Sequence, residues 1–422
     1  MRPVTPRGFR DVLFQEAAER EAVSRAIGEV FALWGYAPVE TPVVEEYSVL
    51  TAGVGSAADR TAFRLFDLDG SLLALRPEMT VPIARVAASR LAEQAGPHRV
   101  RYVAPVFREH ASMRGQARQF TQAGVEFIGA GGPTADAEVV TLAVEALEAS
   151  GLSSYSIGIG TVEVLRDLIA ASGADEHWGA AVIAAAHQRN LVELDRLAAD
   201  SSVRPAVAKA LAAAPRIRGG REAIDQCHDL LVACGCVRTL GDLRETYRVL
   251  EGLGYADRVT VDFGIMRSFD YYTGLVLEAY APGLGLPLGG GGRYDRLLAA
   301  FGAPAPAAGF ALGLERVMIA LAEQGRTPAT PGTDAVIGGI DSVAVFAATR
   351  ALHEAGWRVT TAVGRSGDAL VREADRIGAA EALMADGEAI FRIDRAGERA
   401  LPLERPLPAP PRATWRQKGG AR

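Results

Sequence analysis

Hydrophobic residues recur at helical spacing near the beginning of the chain. Across residues 14–34, Val23, Ile27 and Phe31 lie on one face of a helix, and charged residues are interspersed between them. We therefore expect a long amphipathic helix that ends near Gly35.

Shorter apolar runs follow, and they predict strands. Residues 36–44 carry two prolines, which fits an edge strand because proline cannot donate a hydrogen bond to a ladder. The runs 63–68 and 71–75 flank Asp69 and Gly70. This dipeptide is typical of a β-hairpin in which both turn residues take a positive φ, so we expect a hairpin here.

The middle of the chain combines further strands with a long helical region. A helix is predicted over residues 135–149, with Asp136 in its first turn, where the helix dipole favours a carboxylate. Residues 162–256 have helical periodicity and little concentrated chemistry, and we interpret them as a helical insertion. Other apolar runs predict strands at residues 100–107, 124–128, 258–263, 275–280 and 309–312.

The C-terminal quarter has a different pattern from the rest. A stretch rich in Pro, Gly and Thr at residues 325–334 is typical of a linker, so a first domain would cover residues 1–325. Short apolar runs then alternate with helical segments, which predicts a small α/β domain over residues 326–405. The proline-rich residues 406–422 are expected to be disordered.

The composition narrows the class of protein. The 422 residues are 49% hydrophobic and 23% charged, an ordinary globular balance, and the net charge of −6 argues against a generally basic nucleic-acid-binding surface. No apolar run approaches the roughly 20 residues that cross a bilayer, so no membrane segment is expected. The basic first ten residues are not followed by the apolar segment of a secretory signal.

The cysteines and histidines point to no special chemistry. Three cysteines cannot form a disulfide framework, which favours a reduced, cytoplasmic protein. Neither the cysteines nor the six histidines have the spacing of metal ligands, so we expect no metal site and no cofactor.

The most informative segment is residues 107–126. Two antiparallel strands would bring Arg108, Arg118, Gln122 and Glu126 near one another, and alternation places the last two on one face. Such a face is costly to bury unless something pairs with it. A zwitterionic ligand could do so, with its carboxylate on Arg and its ammonium on Glu. A self-satisfied network on a solvated face is the alternative.

Three further clusters carry candidate chemistry. Residues 267–274 read Arg-Ser-Phe-Asp-Tyr-Tyr-Thr-Gly, which combines flat rings with hydroxyl donors and suits a polar ring-shaped ligand, unless the tyrosines belong to the core. Residues 289–292 are four glycines, which allow close backbone approach but lack the Lys-Ser/Thr of a P-loop. Residues 76–82 place Glu78 just after the hairpin.

Taken together and in order, these clusters resemble the catalytic core of the class II aminoacyl-tRNA synthetases, in particular the histidyl branch. Pro42 stands where the first motif of that family has its dimer-interface proline, Arg108 opens the second motif, and residues 309–316 look like the third. Residues 267–274 match the histidine-specific motif. The resemblance covers about residues 1–325. It implies an α+β fold, with a six-stranded antiparallel sheet flanked by helices, a helical insertion and a small C-terminal α/β domain.

Two members of this branch share the fold. One is histidine–tRNA ligase, and the other is the regulatory subunit of ATP phosphoribosyltransferase, a catalytically inactive paralogue that senses histidine. In the ligases a Glu stands two residues after the arginine of the second motif, but this chain has His110, and Gln116 replaces a later arginine. His110 cannot replace the anionic group that helps to hold the nucleotide. Residues 119–129 and 277–285 also look more like the regulator.

The charge of the C-terminal domain also favours the regulatory subunit over the ligase. Residues 334–405 contain 9 basic and 12 acidic residues, whereas a domain that contacts tRNA is expected to carry phosphate-neutralising positive charge. We therefore do not expect tRNA binding. The cations Arg108, Arg267 and Arg316, which a synthetase would aim at carboxylate and phosphates, are all present. Histidine–tRNA ligase therefore remains the alternative function.

The resemblance implies a regulator needed for the first step of histidine biosynthesis and for feedback inhibition by histidine. It also implies these histidine-binding residues: Glu78, Thr80, Arg108, Gln122, Glu126, Arg267, Tyr271 and Tyr272. The first glutamate, the threonine and the glutamine would receive the α-ammonium group. The two arginines would bind the carboxylate, and the second glutamate and the tyrosines would hold the imidazole. Arg118 and Arg316 would bind any residual nucleotide.

The resemblance also implies partners. They are L-histidine, a second copy of the chain bound through the first-motif region around Pro42, and the short-form catalytic subunit of ATP phosphoribosyltransferase. The expected assembly is a closed hetero-octamer. A stand-alone amino-acid-binding module of the same fold would bind histidine but would lack the catalytic partner.

Overall fold

The computed structural model describes most of the chain in two compact units, residues 1–326 and 327–422. The described residues are 4–54, 61–109, 117–200, 202–236, 240–265, 271–328, 332–404, 407–408, 410 and 416–417. His110, Gln116 and Arg267, which entered the sequence argument, lie outside these ranges.

The helices and strands of the described residues are named in chain order. The helices are α1 (Phe14–Leu33), α2 (Tyr47–Val54), α3 (Thr80–Val86), α4 (Gly132–Ala149), α5 (Glu163–Ala170), α6 (Glu176–His187), α7 (Leu191–Ala198), α8 (Pro205–Ala213), α9 (Arg221–Ala233), α10 (Gly241–Gly252), α11 (Leu314–Glu323), α12 (Ser342–Glu354) and α13 (Asp368–Ile377). The strands up to residue 327 are β1 (Ala37–Pro38), β2 (Val44–Glu46), β3 (Phe63–Phe66), β4 (Leu72–Leu75), β5 (His98–Phe107), β6 (Gln119–Ile128), β7 (Ser156–Thr161), β8 (Arg218–Gly219), β9 (Val259–Asp262), β10 (Leu275–Tyr280), β11 (Gly289–Arg293), β12 (Ala307–Gly313) and β13 (Arg326–Thr327). Those that follow are β14 (Ala335–Gly339), β15 (Val359–Val363), β16 (Glu381–Asp386), β17 (Ala389–Ile393), β18 (Arg399–Pro402) and β19 (Arg416–Gln417).

The first unit is built on a sheet with the strand order β1-β5-β6-β12-β11-β10-β7-β9-β8. The six strands from β5 to β7 pair antiparallel throughout. The expected α+β fold with a six-stranded antiparallel sheet is therefore confirmed. The edges extend it, because β1 pairs parallel with β5 and β9 pairs parallel with β7. The strand that carries Pro38 lies at an edge, as expected for a residue that cannot donate to a ladder.

Helices α1 and α4 cover one face of this sheet. Val23, Ile27 and Phe31 are fully buried and cluster with Val139 and Val140 of α4, which confirms the apolar face predicted for α1. The same cluster continues into helices α5–α10 of the insertion. Helices α1 and α4 and the insertion therefore share one core. The opposite face of the sheet packs in part against a second cluster, which includes Leu50 of α2 and Ile83 of α3.

Helix α4 begins earlier than the sequence pattern predicts. It starts at Gly132, with Pro133 in the first turn, where the missing N–H of proline costs nothing. Asp136 therefore lies in the second turn, and the prediction that its carboxylate lies in the first turn, where the helix dipole would favour it, is wrong. Its carboxylate is instead buried in an ion pair with Arg293 of β11, with an N–O distance of 2.6 Å.

The predicted hairpin forms from β3 and β4, but its turn is longer than expected. The N–H of Gly70 donates to the carbonyl of Asp67 and the N–H of Asp67 donates to that of Ser71, both at 3.0 Å. Only Gly70 has a positive φ, at +89°, so the expectation of positive φ at both turn residues is wrong. The geometry is that of a three-residue loop, in which a single glycine takes the left-handed conformation.

The second unit is a small α/β sheet with the order β15-β14-β16-β17-β18. Helix α12 packs on one face and α13 on the other, so alternate residues of β14 enter two separate core clusters. Most of the tail at 406–422 lies outside the described residues. Leu407 packs on the α12 side, and the indole N–H of Trp357 donates to the carbonyl of Pro408 at 2.6 Å.

None of the helices in the described part of the chain has both the length and the apolar character needed to cross a bilayer.

Candidate functional site

A cleft opens on the face of the sheet opposite α1, above β6, β11 and β12. It encloses about 660 Å³ of empty space, part of which is open to solvent. Seven of the residues predicted from the sequence line it: Glu78, Thr80, Arg108, Gln122, Tyr271, Tyr272 and Arg316. The sheet thus brings together segments that are up to 238 positions apart in the sequence.

Glu126 lies beneath this cleft rather than on its surface. Its carboxylate accepts hydrogen bonds from the hydroxyls of Thr80 at 3.0 Å, Tyr102 at 3.1 Å and Tyr294. The side chain is buried, which raises the pKa of the carboxyl to about 8, and the nearby charge of Glu78 adds to the effect although the hydroxyls oppose it. Of these residues, Thr80 and Tyr294 line the cleft itself.

Two glycines make room for this buried cluster. Gly124 pairs with Tyr102 and Gly309 pairs with Glu126 on neighbouring strands. A Cβ atom on Gly309 would lie 1.9 Å from Oε2 of Glu126, and one on Gly124 would lie 2.7 Å from the hydroxyl of Tyr102. The carboxylate and the phenol can therefore lie flat on the sheet only because these positions carry no side chain.

The glycine run at 289–292 forms a central strand of the same surface. The sequence predicts that another group comes close to the backbone of these glycines, and in the structure that group is the backbone of β12. A Cβ on Gly291 would lie 1.9 Å from the carbonyl oxygen of Gly309. The side-chain-free strand leaves a flat floor for the cleft.

Glu78 is held at the start of helix α3. Its two carboxylate oxygens accept the backbone N–H groups of Thr80 and Val81, each at 2.8 Å, which satisfies donors that a helix start otherwise leaves unpaired. The side-chain oxygen of Gln122 accepts the N–H of Met79 at 3.1 Å. Burial raises the pKa of Glu78. The turn before α3 is thus tied to β6, with both polar side chains at the cleft.

The tyrosine pair forms one wall. The ring centroids of Tyr271 and Tyr272 are 4.9 Å apart, and Tyr294 meets Tyr271 edge-on at 5.9 Å. The following residue, Thr273, donates its N–H to the carbonyl of Arg293 at 2.7 Å. Aromatic edges and faces at these separations attract each other, so the pair is held against β11.

Arg108 and Arg316 supply positive charge to the cleft. The Nε of Arg108 donates to the carbonyl of Pro77 at 2.8 Å, and its guanidinium lies 5.1 Å from the centre of the Phe120 ring. Arg316 donates to the carbonyl of Pro287 at 2.6 Å. Guanidinium groups held by backbone carbonyls in this way suit a carboxylate or a phosphate.

Arg118 takes a different direction. The backbone ladder places it beside Arg108, as expected, but its guanidinium pairs with Glu109 and lies 4.3 Å from the centre of the Phe63 ring. It also donates to the carbonyl of Arg7 at 3.2 Å, and it does not line the cleft. Its predicted role towards a nucleotide stays a prediction.

Sequence reasoning missed Tyr102 and Tyr294, which hold Glu126. The position of Tyr102 could have been predicted, because the antiparallel register of the two strands places it opposite Gly124. Tyr294 directly follows the strand of glycines, but nothing local indicates that it reaches Glu126. Among the described residues, no group of three or more His, Cys, Asp and Glu side chains is arranged to hold a metal ion.

Known proteins are similar to this chain in sequence and in fold. The family model for histidyl-tRNA synthetase matches residues 8–317. The ATP phosphoribosyltransferase regulatory subunit of Moorella thermoacetica is 38% identical over 368 residues, which are 87% of this chain and 93% of that protein. This chain belongs to the ATP phosphoribosyltransferase regulatory subunit family.

Two further comparisons support that family. The ATP phosphoribosyltransferase regulatory subunit of Symbiobacterium thermophilum is 40% identical over 341 residues, which are 79% of this chain and 85% of that protein. A crystal structure described as an ATP phosphoribosyltransferase regulatory subunit/histidyl-tRNA synthetase from Bacillus halodurans C has a TM-score of 0.77 and 29% identity, and covers 90% of this chain and 98% of its own. A solved protein described in these terms therefore shares the class II synthetase-like fold of this chain.

Proposed function

We propose that this chain is the non-catalytic regulatory subunit of an ATP phosphoribosyltransferase and that it senses L-histidine in the cleft on the sheet. The curated relatives support the subunit assignment, at 38% and 40% identity. The cleft supports the ligand, because it combines a carboxylate, hydroxyls, aromatic rings and guanidinium groups in one space. The buried cluster around Glu126 is the observation that carries the proposal.

The chemistry of the cleft fits the three parts of histidine. The imidazole would lie against Tyr271 and Tyr272, with a ring N–H directed towards Thr80 and the carboxylate beneath it. The α-ammonium group would pair with Glu78 and the amide of Gln122. The carboxylate would pair with Arg108 and, as the resemblance implies, with Arg267. Charge-assisted hydrogen bonds of this kind select a zwitterion over an uncharged ring.

Regulation requires coupling between histidine and the catalytic partner. Histidine must bind one state of the complex better than another, and a difference of about 1–3 kcal/mol is enough for a 5–150-fold effect. We propose that the partner is the short-form catalytic subunit and that eight chains form a closed assembly. The site and the partner surface would then be linked through the sheet and its helices.

A homodimer through the first-motif region is also part of the proposal. Buried Arg76 donates hydrogen bonds to the carbonyls of Thr41 at 2.6 Å and Pro42 at 3.1 Å, which fixes this segment. The neighbouring hairpin exposes Phe66 and Leu68, and Phe66 is 76% exposed. Apolar side chains beside a rigid segment are the kind of surface that a second copy of the chain would cover.

Three measurements on the purified full-length chain test the function. Calorimetry should show histidine binding, and histidine-dependent ATP–pyrophosphate exchange should be absent. Mixing the chain with a short-form catalytic subunit should increase phosphoribosyltransferase activity, and histidine should inhibit the mixture. Exchange at ordinary enzyme rates would instead identify a histidine–tRNA ligase. Histidine binding without any effect on the catalytic subunit would identify a stand-alone sensor.

A further inference from the structure

The wall and the floor of the cleft meet around Tyr294. Tyr271 and Tyr272 form the wall, whereas Tyr294 belongs to the floor because its hydroxyl donates to Glu126. The ring of Tyr271 meets that of Tyr294 edge-on at 5.9 Å. A Cβ on Gly292 would lie 2.8 Å from Cδ1 of Tyr272, so the Tyr272 ring packs directly on the backbone of β11. Both rings of the wall therefore rest on the end of the strand that leads into the floor.

Thr273, which directly follows the tyrosine pair, is hydrogen-bonded to both neighbours of Tyr294. Its N–H donates to the carbonyl of Arg293 at 2.7 Å, and its hydroxyl accepts the N–H of Asp295 at 3.0 Å. A threonine hydroxyl can donate while it accepts, and here it also donates to the Arg293 carbonyl at 3.4 Å. We call these hydrogen bonds the Thr273 clasp. They join the segment of the wall to the residues before and after Tyr294.

The partners of the Thr273 clasp are themselves held in place. The carboxylate of Asp295 accepts the N–H of Ala307 on β12 and a guanidinium N–H of Arg293, each at 3.0 Å. The same guanidinium forms the buried ion pair with Asp136 of α4, at 2.6 Å. The clasp is therefore anchored to a strand and to a helix of the first unit. Hydrogen bonds of this supporting kind are what fix the side chains of a binding site in one geometry.

We propose that Thr273 is a positioning residue of the cleft, whose hydroxyl holds the tyrosine wall at a fixed distance from the floor around Glu126 and thereby sets the affinity for an imidazole ring. Thr273 lines a neighbouring cavity, together with Asp136 and Arg293, so it acts through the tyrosines rather than as a ligand contact. The effect on histidine rests on the proposed function, whereas the clasp itself does not.

Hydrogen exchange of the purified full-length chain, resolved to single residues, tests the clasp without any ligand. Thr273→Val nearly keeps the shape of the side chain but removes the oxygen that accepts the N–H of Asp295. We expect that N–H to exchange at least about fivefold faster. Thr273→Ser keeps the oxygen and should restore slow exchange. Equally slow exchange in wild type and in folded Thr273→Val overturns the clasp.

Calorimetry with L-histidine and L-histidinol tests the effect on the cleft. Histidinol shares the imidazole and the amine but has a CH₂OH group in place of the carboxylate. We expect Thr273→Val to weaken both ligands by a similar factor of at least about fivefold, because both present the same ring to the wall. Arg108→Gln should weaken histidine alone, since histidinol has no carboxylate to pair with. Thr273→Ser should bind both ligands within about twofold of wild type.

Thr349→Val is the matched control, because it removes a buried hydroxyl that donates to the carbonyl of Val345 at 2.8 Å in the second unit. It should change neither the exchange of Asp295 nor the two affinities. Thr273→Ala takes the place of Thr273→Val if a thermal melt shows that the latter does not fold.

Three outcomes separate the roles of Thr273. A lower melting temperature of Thr273→Val with unchanged dissociation constants would indicate a merely structural role and overturns the positioning role. Weaker binding of histidine alone would place the effect at the carboxylate rather than at the ring, and it also overturns that role. A wild-type chain that binds neither ligand, although Thr273→Val speeds the exchange of Asp295, contradicts the proposed function and the effect on histidine and leaves the clasp intact.

Discussion

The phenol of Tyr294 donates a hydrogen bond to the carboxylate of Glu126, although 168 positions separate them in the sequence. Both side chains are buried, with 2% and 1% of their surface exposed. Burial and the nearby carboxylate raise the pKa of Tyr294 well above its ordinary value, so the phenol keeps its proton and remains a donor. The floor of the cleft is therefore organised before any ligand arrives.

The buried carboxyl of Glu126 predicts a pH-dependent stability. Its folded pKa of about 8 lies above the ordinary value of 4.5, so its stabilising contribution is complete below pH 4.5 and is lost as the pH rises towards 8. Glutamine cannot ionise, so the Glu126→Gln variant does not lose stability in this way as the pH rises. Between those pH values its free energy of unfolding should rise relative to wild type, by up to about 1.4 kcal/mol per pH unit. Urea unfolding of both proteins checks this, and a constant difference would contradict it.

The same residue should control ligand binding. We expect Glu126→Ala to abolish histidine binding while the fold survives, because the carboxyl group that holds Thr80 is lost and the surrounding sheet remains. Calorimetry measures the binding and circular dichroism verifies the fold. Unchanged affinity in a folded variant would show that the imidazole does not depend on this carboxylate.

Two arginines on adjacent strand ends should behave differently. Arg108 lines the cleft, so Arg108→Gln should weaken histidine binding by about tenfold or more, as expected for the loss of a charge-assisted hydrogen bond. Arg118 pairs with Glu109 outside the cleft, so Arg118→Gln is the matched control and should leave the affinity within about twofold. Equal losses in both variants would indicate a general electrostatic effect.

The close approach at Gly309 predicts an intolerant position. In Gly309→Ala the new methyl group would overlap the carboxylate of Glu126, so we expect a loss of about 1–3 kcal/mol in stability together with weaker histidine binding. Gly285→Ala is the control, because nothing lies within 4 Å of a Cβ there. Denaturant unfolding and calorimetry on both variants test the prediction. A Gly309→Ala protein with normal affinity would mean that the carboxylate can move freely.

The ion pair between Asp136 and Arg293 predicts a large cost when it is broken. Both side chains are buried, so Asp136→Asn leaves a buried guanidinium with less compensation, and we expect a loss of about 3–5 kcal/mol. The exposed pair of Glu354 and Arg350 is the control, and Glu354→Gln should cost at most about 1 kcal/mol. Urea unfolding separates the two cases. A similar small cost in both would show that Arg293 is satisfied without Asp136.

Local patterns in the sequence were enough to predict most secondary-structure elements and the chemistry of each cluster. The apolar face of α1 and the hairpin of β3 and β4 follow from periodicity and turn residues, since burial on one face repeats at the period of the element. The clusters around Glu78, Arg108 and Tyr271 were recognisable because each combines unusual residue types within a few positions. The ends of elements were less well predicted, as the early start of α4 shows.

The sequence by itself determined which side chains are available, and the tertiary structure decided which of them meet. The order β6-β12-β11 brings Glu126, Gly309 and Tyr294 together, and no local signal specifies which strands are neighbours. The direction of Arg118 was likewise decided by Glu109 and the aromatic rings around it. Pairing and side-chain direction depend on contacts between residues far apart in the chain, and so they are settled only when the whole sheet has formed.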